Sequence, residues 1–546
     1  LLASSAPDQM HHLYYRGSPD SAEEAFVPVL GKESTLAAVK ESQCLDICGV
    51  ADEHGAVDAN QLGAHCGAAP QIHETHTGIV ILIGSRAYKV KKAVTTDFLD
   101  FSTVELRERA CNREVFLNRR LARDSYLGVA HLTDPAGGSS EPVIVMRRYP
   151  DSARLATMVR TGVDVEPNLA AIAEALAVFH AAADRGAPIS ESGTANAVSA
   201  RWEENLTVLA GFVGSVLTDQ TLHEIRSLSN EFMRGRHPLF AERIEKGLIV
   251  DGHGDLMAED IFCVPGGAVL LDCLEFDDHL RYVDCADDAA FLAMDLASLG
   301  RDDLAEYFID QYTQSSAIDT PQSLWHFYVA YRAVVRAKVD CIRFTQGRPA
   351  SADAAIAHLE LAHRYLRAGA VRLIRIGGGP GTGKTTLAKA LSERTGAQVI
   401  STDAVRRELQ EQGVIAGEPG ILDGGLYSTQ NVAAVYETVL QRARKLLAWG
   451  QSVILDGTWR DPHQQERTRD LACQTHAVLH EFECHVPLSL TQNRIAHRGP
   501  TLSDATSDIA AALDVTARTS DTVLRIDTNR PVAESVAQIE AAFRLS

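Results

Sequence analysis

The feature that most constrains this chain is the run Gly378-Gly379-Pro380-Gly381-Thr382-Gly383-Lys384-Thr385, which fits G-x-x-x-x-G-K-[ST]. The apolar run Val371-Arg372-Leu373-Ile374-Arg375-Ile376 predicts a strand before it, and Thr385 to Thr395 reads as a helix after it. A strand, a glycine turn and a helix in this order aim successive backbone N–H groups at an anion on a helix N-terminus. In such a loop Lys384 supplies a point charge to the β- and γ-phosphates and the Thr385 hydroxyl suits Mg²⁺. Thr386 follows in the first helical turn and completes the phosphate-binding stretch.

Strands, loops and helices alternate from there to the C-terminus, which implies an α/β domain with a parallel sheet. A strand Gln398-Val399-Ile400-Ser401 delivers Thr402 and Asp403 at its carboxyl end, where open α/β sheets bind ligands. Asp403 is the candidate to orient or deprotonate an acceptor. Ser452-Val453-Ile454-Leu455-Asp456 ends in an acid at the Walker-B position, suited to the Mg²⁺ water shell; a helix cap is the other reading of Asp456. Arg494 and Arg498 lie one turn apart on a predicted helix, so both could face phosphates when a lid closes. A solvated basic face explains the two arginines equally well. With Ser503-Asp504-Ala505 after the lid, the stretch 370–546 resembles small P-loop kinases of the gluconate-kinase and zeta-toxin type. The shortness of the domain argues against an AAA+ motor.

The chain has 546 residues, enough for two or three domains. Its formal net charge of −20 disfavours general nucleic-acid binding and anionic membranes. It shows no long uninterrupted apolar run, and its opening has no basic leader, so neither membrane spans nor a signal peptide are expected and the expected location is cytoplasmic. The ten cysteines form no C-x-x-C pair. Cys44, Cys48, His54, His65 and Cys66 match no metal spacing, which favours reduced, mostly buried thiols. Residues 1–70 read as a loosely ordered extension with one helix around Ser34 to Ser42.

Strand character begins at Gln71, with a hairpin formed by Gly78 to Gly84 and Ala87 to Lys92. A helix is expected over Thr103 to Ala122, a strand over Glu141 to Met146, and helices over 165–245, clearest at Leu169 to Ala183. Short buried strands at Ile249 to Asp255 and Ala268 to Cys273 flank a loop, and helices resume from Asp284 to Ala368. The expected division is a domain over 71–368, with a small lobe 71–148 and a large lobe 149–368, followed by a P-loop domain over 369–546.

Within the first of these, His253-Gly254-Asp255-Leu256 followed by Asp260 looks like the catalytic loop of the aminoglycoside-phosphotransferase and choline-kinase branch of the protein-kinase-like fold. Ala87-x-Lys89 on a strand, Glu114 in the following helix, a hinge near Met146 to Arg148 and Leu271-Asp272-Cys273-Leu274-Glu275-Phe276 follow in the kinase order. The resemblance implies that Asp255 accepts or orients the proton of a substrate hydroxyl and that Lys89, paired with Glu114, holds the nucleotide phosphates. It also implies that Met146 lies at the nucleotide hinge, and that Asp260 with Asp272 or Glu275 holds Mg²⁺. Lys91 shares a strand face with Lys89 and is the rival lysine; a solvated basic strand is the plainer reading of both. The chain departs from that family where Asp260 replaces its Asn, where Met257 stands in a position often occupied by His, and where Glu275 stands for Asp. No protein-kinase glycine loop is evident, and the turn His76-Thr77-Gly78 would have to take its place.

Over 71–546 the chain thus resembles bacterial two-domain proteins that join an aminoglycoside-phosphotransferase-like domain to a P-loop kinase-like ATPase domain, an α/β multidomain architecture. The resemblance implies a bifunctional phosphotransferase that uses ATP and Mg²⁺ on a hydroxyl of a small polar acceptor, a sugar, aminosugar or aminoglycoside-like molecule. The alternative is a regulatory ATP-binding protein with an N-terminal pseudokinase and a P-loop switch. A third reading is zeta-toxin-like phosphorylation of a nucleotide sugar.

Overall fold

The computed structural model describes residues 70–74, 78–95, 100–132, 140–421, 424–497 and 523–545. The expected extension up to residue 69, most of the His76-Thr77-Gly78 turn, Arg498 and Ser503-Asp504-Ala505 lie outside the described residues. The chain divides into two compact units, one containing the chain up to Arg154 with Val269–Asp277, the other Leu155–Ala268 with Asp278–Ser546.

The first unit is built on five antiparallel strands, β1 (Gln71–Glu74), β2 (Gly78–Ile83), β3 (Arg86–Lys91), β4 (Tyr126–Leu132) and β5 (Glu141–Arg147), in the order β1-β2-β3-β5-β4. β2 and β3 form the expected hairpin, Gly78 opposite Lys91 and Ile83 opposite Arg86. Its two-residue turn needs Gly84 at φ +54°, a left-handed conformation that glycine adopts without strain. The helix Val104–Asn118 starts at Thr103, whose hydroxyl accepts from Leu106 N at 3.3 Å. The helix is shorter than the expected span because its last residues pass into tight turns, Ala122 N donating to Asn118 O. Its Arg107 is buried and donates to both oxygens of Glu141 at 2.5 and 2.8 Å, tying helix to sheet.

The second unit begins with helices, among them Glu166–Ala182, Ala195–Ala210, Asp219–Gly235 and His237–Glu245. β6 (Ile249–Asp251) then leads through β7 (Ile261–Val264) and β8 (Gly267–Leu270) to β9 (Tyr282–Asp284), which pairs antiparallel with β6. The helix Cys285–Ser298 that follows is buried on every side from Cys285 to Ala297 and forms the centre of the helical layer. Asp284 caps it, accepting from Ala286 N at 2.8 Å while Arg243 holds the same carboxylate. The helices Asp302–Ser316, Gln322–Thr345 and Ser351–Ala368 complete this layer.

Gly369 ends the last of these helices, and β10 (Arg372–Gly377) opens a parallel sheet with β11 (Gln398–Ser401), β12 (Val453–Asp456), β13 (Val478–His485) and β14 (Leu524–Asp527). The order β11-β12-β10-β13-β14 puts the strand before the glycine loop in the middle. β10 is buried from Leu373 to Gly377, as a parallel strand covered on both faces is, and its one buried charge, Arg375, is ion-paired with Glu481 at 2.6 Å. Ile374 and Ile376 pack with Leu387, Ile454, Phe482 and Ile526. The expected boundary near residue 368 falls at this junction, inside the second unit.

Two outcomes test this architecture. Glu141→Ala strands a buried guanidinium and should destabilise the protein by about 3 kcal/mol or more, read as a lower urea midpoint. His480 on β13 sits against Phe482 and Phe543, its Nε2 without a hydrogen-bond partner. Burial, aided by Arg372, lowers its pKa to about 4. Between the unfolded value near 6.5 and about 4 the unfolded chain binds the extra proton. Stability from this group is therefore full above pH 6.5 and falls as pH drops toward 4. Thermal melts at pH 7 and 5 should show a loss that His480→Phe reduces.

Candidate functional site

The glycine loop runs from the end of β10 into the helix Lys384–Thr395, one residue earlier than the expected start. Gly378, Gly381 and Gly383 all have positive φ. A Cβ on Gly378 would stand 2.6 Å from Cys484 O, so the loop is cut to glycine by close backbone approach. Lys384 folds back and donates to Gly379 O at 2.7 Å, as does the Thr382 hydroxyl at 2.8 Å. The exposed Thr386 follows Thr385 in the first helical turn.

The Thr385 hydroxyl donates to Asp456 Oδ2 at 2.8 Å. Asp456 is buried, and burial raises its pKa against the opposing pull of Lys384 and Thr385. A hydroxyl and a carboxylate oxygen side by side, beside an ammonium and backbone N–H donors, form a hard-oxygen set that suits Mg²⁺, which keeps most of its shell as water and phosphate oxygen. Asp403 opens the helix Thr402–Glu411 at the end of β11, where Arg406 Nη1 holds its carboxylate at 2.6 Å and stacks on Tyr427. Asp403 also lies close enough to raise the Asp456 pKa.

Arg494 lies on the helix Leu488–Ala496 and reaches the loop through a residue that sequence reading missed. Its Nη2 donates to Thr528 O at 2.9 Å, and the Thr528 hydroxyl donates to Thr382 O at 2.5 Å. Thr528 follows the strand Leu524–Asp527, whose partly apolar run was the available signal.

In the first unit the structure gathers Lys89, Lys91, Glu114, Asp272 and Glu275 into one network. Lys89 Nζ lies 2.9 Å from Glu114 Oε1 and 2.6 Å from Asp272 Oδ1. Lys91 Nζ lies 2.8 Å from Glu114 Oε2 and 2.5 Å from Glu275 Oε1. The two lysines are therefore partners of the same carboxylate rather than rivals. Burial opposes the charge on Lys89, but Asp272 and then Glu114 outweigh it and hold its pKa well above the ordinary range. Glu114 projects from the helix that also fixes the acid segment, because Asn118 Oδ1 accepts from Cys273 N at 2.8 Å. Met146 lies near the end of β5, opposite Ala87 and Tyr126.

Asp255 and Asp260 belong to the second unit. Asp255 follows the buried His253-Gly254 pair, whose N–H groups donate to the two oxygens of Asp288 at 2.7 and 2.8 Å. Asp288 also takes a bond from His180 Nε2 at 2.9 Å, and His180 Nδ1 meets Tyr312 Oη at 2.7 Å. Burial works against the Asp288 carboxylate, yet these partners hold its pKa well below the usual range. Arg332 reaches Gly254 O from the far side. Asp260 ends the short turn Ala258–Asp260, which Asp295 fixes by accepting from Ala258 N.

Residues 373–519 match the family described as AAA domain. A protein of Mycobacterium tuberculosis and one of Mycobacterium bovis are each 54% identical over 473 residues, covering 87% of this chain and 95% of theirs. The chain belongs to the family of these mycobacterial proteins. The printed names of both are "Uncharacterized protein". Among solved structures, a gluconokinase from Sinorhizobium meliloti is 19% identical, with a TM-score of 0.24 over 32% of this chain and 91% of that one. A choline/ethanolamine kinase family protein from Mesorhizobium loti is 16% identical, with a TM-score of 0.34 over 56% of this chain and 95% of that one. In this chain the C-terminal part is an AAA-type domain whose glycine loop follows the central strand of a parallel sheet. Among the described residues, no helix is long and apolar enough to cross a membrane. Among the same residues, no group of three or more His, Cys, Asp or Glu is arranged to hold a metal.

The loop geometry makes one expectation concrete. Gly378→Ala forces either a strained backbone or a shift of Cys484, a penalty on the order of 1–3 kcal/mol. ATP binding at the P-loop should weaken about tenfold by calorimetry.

Proposed function

We propose that the protein is an ATP-dependent phosphotransferase with two nucleotide sites, each moving the γ-phosphoryl of ATP to a hydroxyl of a small polar acceptor. The observation that carries this reading is the Lys384, Thr385 and Asp456 constellation at the glycine loop, with the Thr385 hydroxyl on Asp456 at 2.8 Å. At the C-terminal site Gly378 to Thr386 cradle the phosphates and Lys384 leaves Gly379 O for the β/γ oxygens. Arg494 joins from the lid, and Asp403 orients the acceptor. In the first unit Lys89, held by Glu114, takes the nucleotide phosphates and Met146 lies at the hinge; in the second unit Asp255 is the proposed acceptor of the hydroxyl proton.

When bound, Mg²⁺ neutralises charge on the phosphates; the residues suited to hold it are Thr385 with Asp456 in the P-loop domain, Asp272 or Glu275 in the first unit, and Asp260 in the second. The acceptor oxygen attacks phosphorus, the bridging oxygen leaves with ADP, and the proton passes to the acid beside the hydroxyl. Catalysis of this kind rests on positioning and charge, which is what the braced 253–255 loop and the glycine cradle supply. A sugar or aminosugar suits an acceptor identified by its hydroxyl, and the expected place of the reaction is the cytoplasm.

The reading is tested by incubating the full chain with γ-labelled ATP, Mg²⁺ and a pool of small metabolites. Lys384→Ala should remove one set of labelled products. Asp255→Ala should lower another by about a hundredfold or more. Labelled products that survive Asp255→Ala unchanged would overturn the N-terminal assignment. ATP hydrolysis without transfer, sensitive only to Lys384→Ala, would favour a P-loop switch carrying a pseudokinase, a reading supported by Asp260 in place of Asn.

A further inference from the structure

Lys89 and Lys91 are two residues apart on β3, so their side chains leave the same face of the strand. Both ammonium groups bind Glu114, one on each oxygen, and Glu114 has no exposed side-chain surface. Each lysine then takes a different second acid. Lys89 takes Asp272, whose side chain is 45% exposed, and Lys91 takes Glu275, which is 12% exposed. Lys91 itself is 3% exposed, and its ammonium lies 5.0 Å from the centre of the Phe101 ring. Asp272 thus faces outward, Lys89 is 16% exposed, and Lys91 is the more enclosed of the two lysines and Glu275 the less exposed of the two second acids.

We infer that Lys91 is a positioning residue of the N-terminal nucleotide site. It neutralises Glu275 and clamps Glu114, leaving Lys89 for the phosphates and Asp272, rather than Glu275, for the metal. The assignment rests on the nucleotide reading of that lobe.

Charge counting supports it. Two ammonium groups stand against the three carboxylates Glu114, Asp272 and Glu275, a net surplus of one negative charge. That surplus lies on the outward side, at Asp272, where an incoming cation can meet it. Asp272 is also held in place, at φ +64°, by Tyr126 Oη accepting from its N–H and by the Asn118 bond to the next residue. A non-glycine residue in this conformation persists where its surroundings over-determine it. Glu275 could reach a metal only by giving up its ion pair with Lys91 at 2.5 Å, leaving that enclosed ammonium with Glu114 alone, a carboxylate it already shares with Lys89.

The test uses the full chain carrying Lys384→Ala, which silences the P-loop site, and follows ATP binding by calorimetry with EDTA and with Mg²⁺. Adding Lys91→Met leaves Glu275 uncompensated near the phosphates, so ATP affinity in EDTA should fall about tenfold. Adding Glu275→Gln to that variant should restore affinity to within about threefold of the parent. Glu275→Gln without the Lys91 change should keep the gain in affinity that Mg²⁺ gives, whereas Asp272→Asn should abolish it. Unchanged binding in Lys91→Met, or failure of Glu275→Gln to rescue it, would overturn the assignment. So would loss of the Mg²⁺ gain in Glu275→Gln, a protein that keeps its lysine and remains informative even where Lys91→Met fails to fold. Absence of any ATP uptake by the parent would instead overturn the nucleotide reading of this lobe, and the assignment with it.

Discussion

Charge pairing away from water is the constraint on which the placement of these functional loops depends. The chain is strongly acidic, with 72 Asp and Glu against 52 Lys and Arg, yet it buries many cations. Almost all are met by carboxylates. Arg107 binds Glu141, Arg243 binds Asp284, Arg281 binds Asp251 and Arg332 binds Asp287. Burying such pairs is weak evidence for stability, because desolvation offsets most of the attraction. What they supply is geometry, since a buried partner cannot move without stranding the other. Asp288 illustrates the point: it is spent entirely on His180 and on the N–H groups of His253 and Gly254, so the residue before Asp255 has its backbone fixed from below.

Under the proposed function the two candidate sites hold polyphosphate by different physics. In the parallel-sheet domain the work falls to backbone N–H groups and a helix N-terminus, which cost no side-chain entropy and ask only that glycine stand where the chain crowds itself. Gly378 against Cys484 O is the clearest such place. On the antiparallel sheet no such loop lies among the described residues, and the charge is carried by Lys89 on a strand, steadied by Glu114 from a helix. A point charge on a flexible stem needs that steadying, and Glu114 supplies it through one oxygen while its other binds Lys91.

This difference also explains how much could be read from the sequence. The glycine loop is local: every residue lies within one strand, one turn and one helix, and its geometry follows from residue type. The parallel sheet and the β2–β3 hairpin were legible for the same reason. The Lys89 and Glu114 pair could be anticipated only through order along the chain, and the sequence left Lys89 and Lys91 as competitors because spacing cannot reveal a carboxylate shared between them. Asp288 went unnoticed among the Ala-rich apolar residues of its helix, although an acid in a buried helix must have a partner. Thr528 was missed because its contact with Thr382 spans 146 positions and leaves no local pattern.

Within the second unit, the P-loop domain is fastened by the ends of its helices that point away from the nucleotide. Arg236 donates to Thr475 O at 2.6 Å and to His476 O at 3.4 Å, at the carboxyl end of the helix Pro462–Thr475. Ser323 donates to Gly450 O at 2.7 Å, just beyond the helix Thr429–Ala448. Arg236 is buried with no carboxylate partner among the described residues, and burial lowers its pKa to about 10. Its charge is met instead by the negative end of a helix dipole and by the face of Phe232. Gly235 allows the approach, since a Cβ there would stand 2.3 Å from Thr475 O. These two helices flank β12, so the strand that ends in Asp456 is gripped at its amino end, opposite the end where Thr385 meets it. The anchors therefore meet the sheet at its amino edge, away from the carboxyl edge that carries the glycine loop, Asp403 and Asp456.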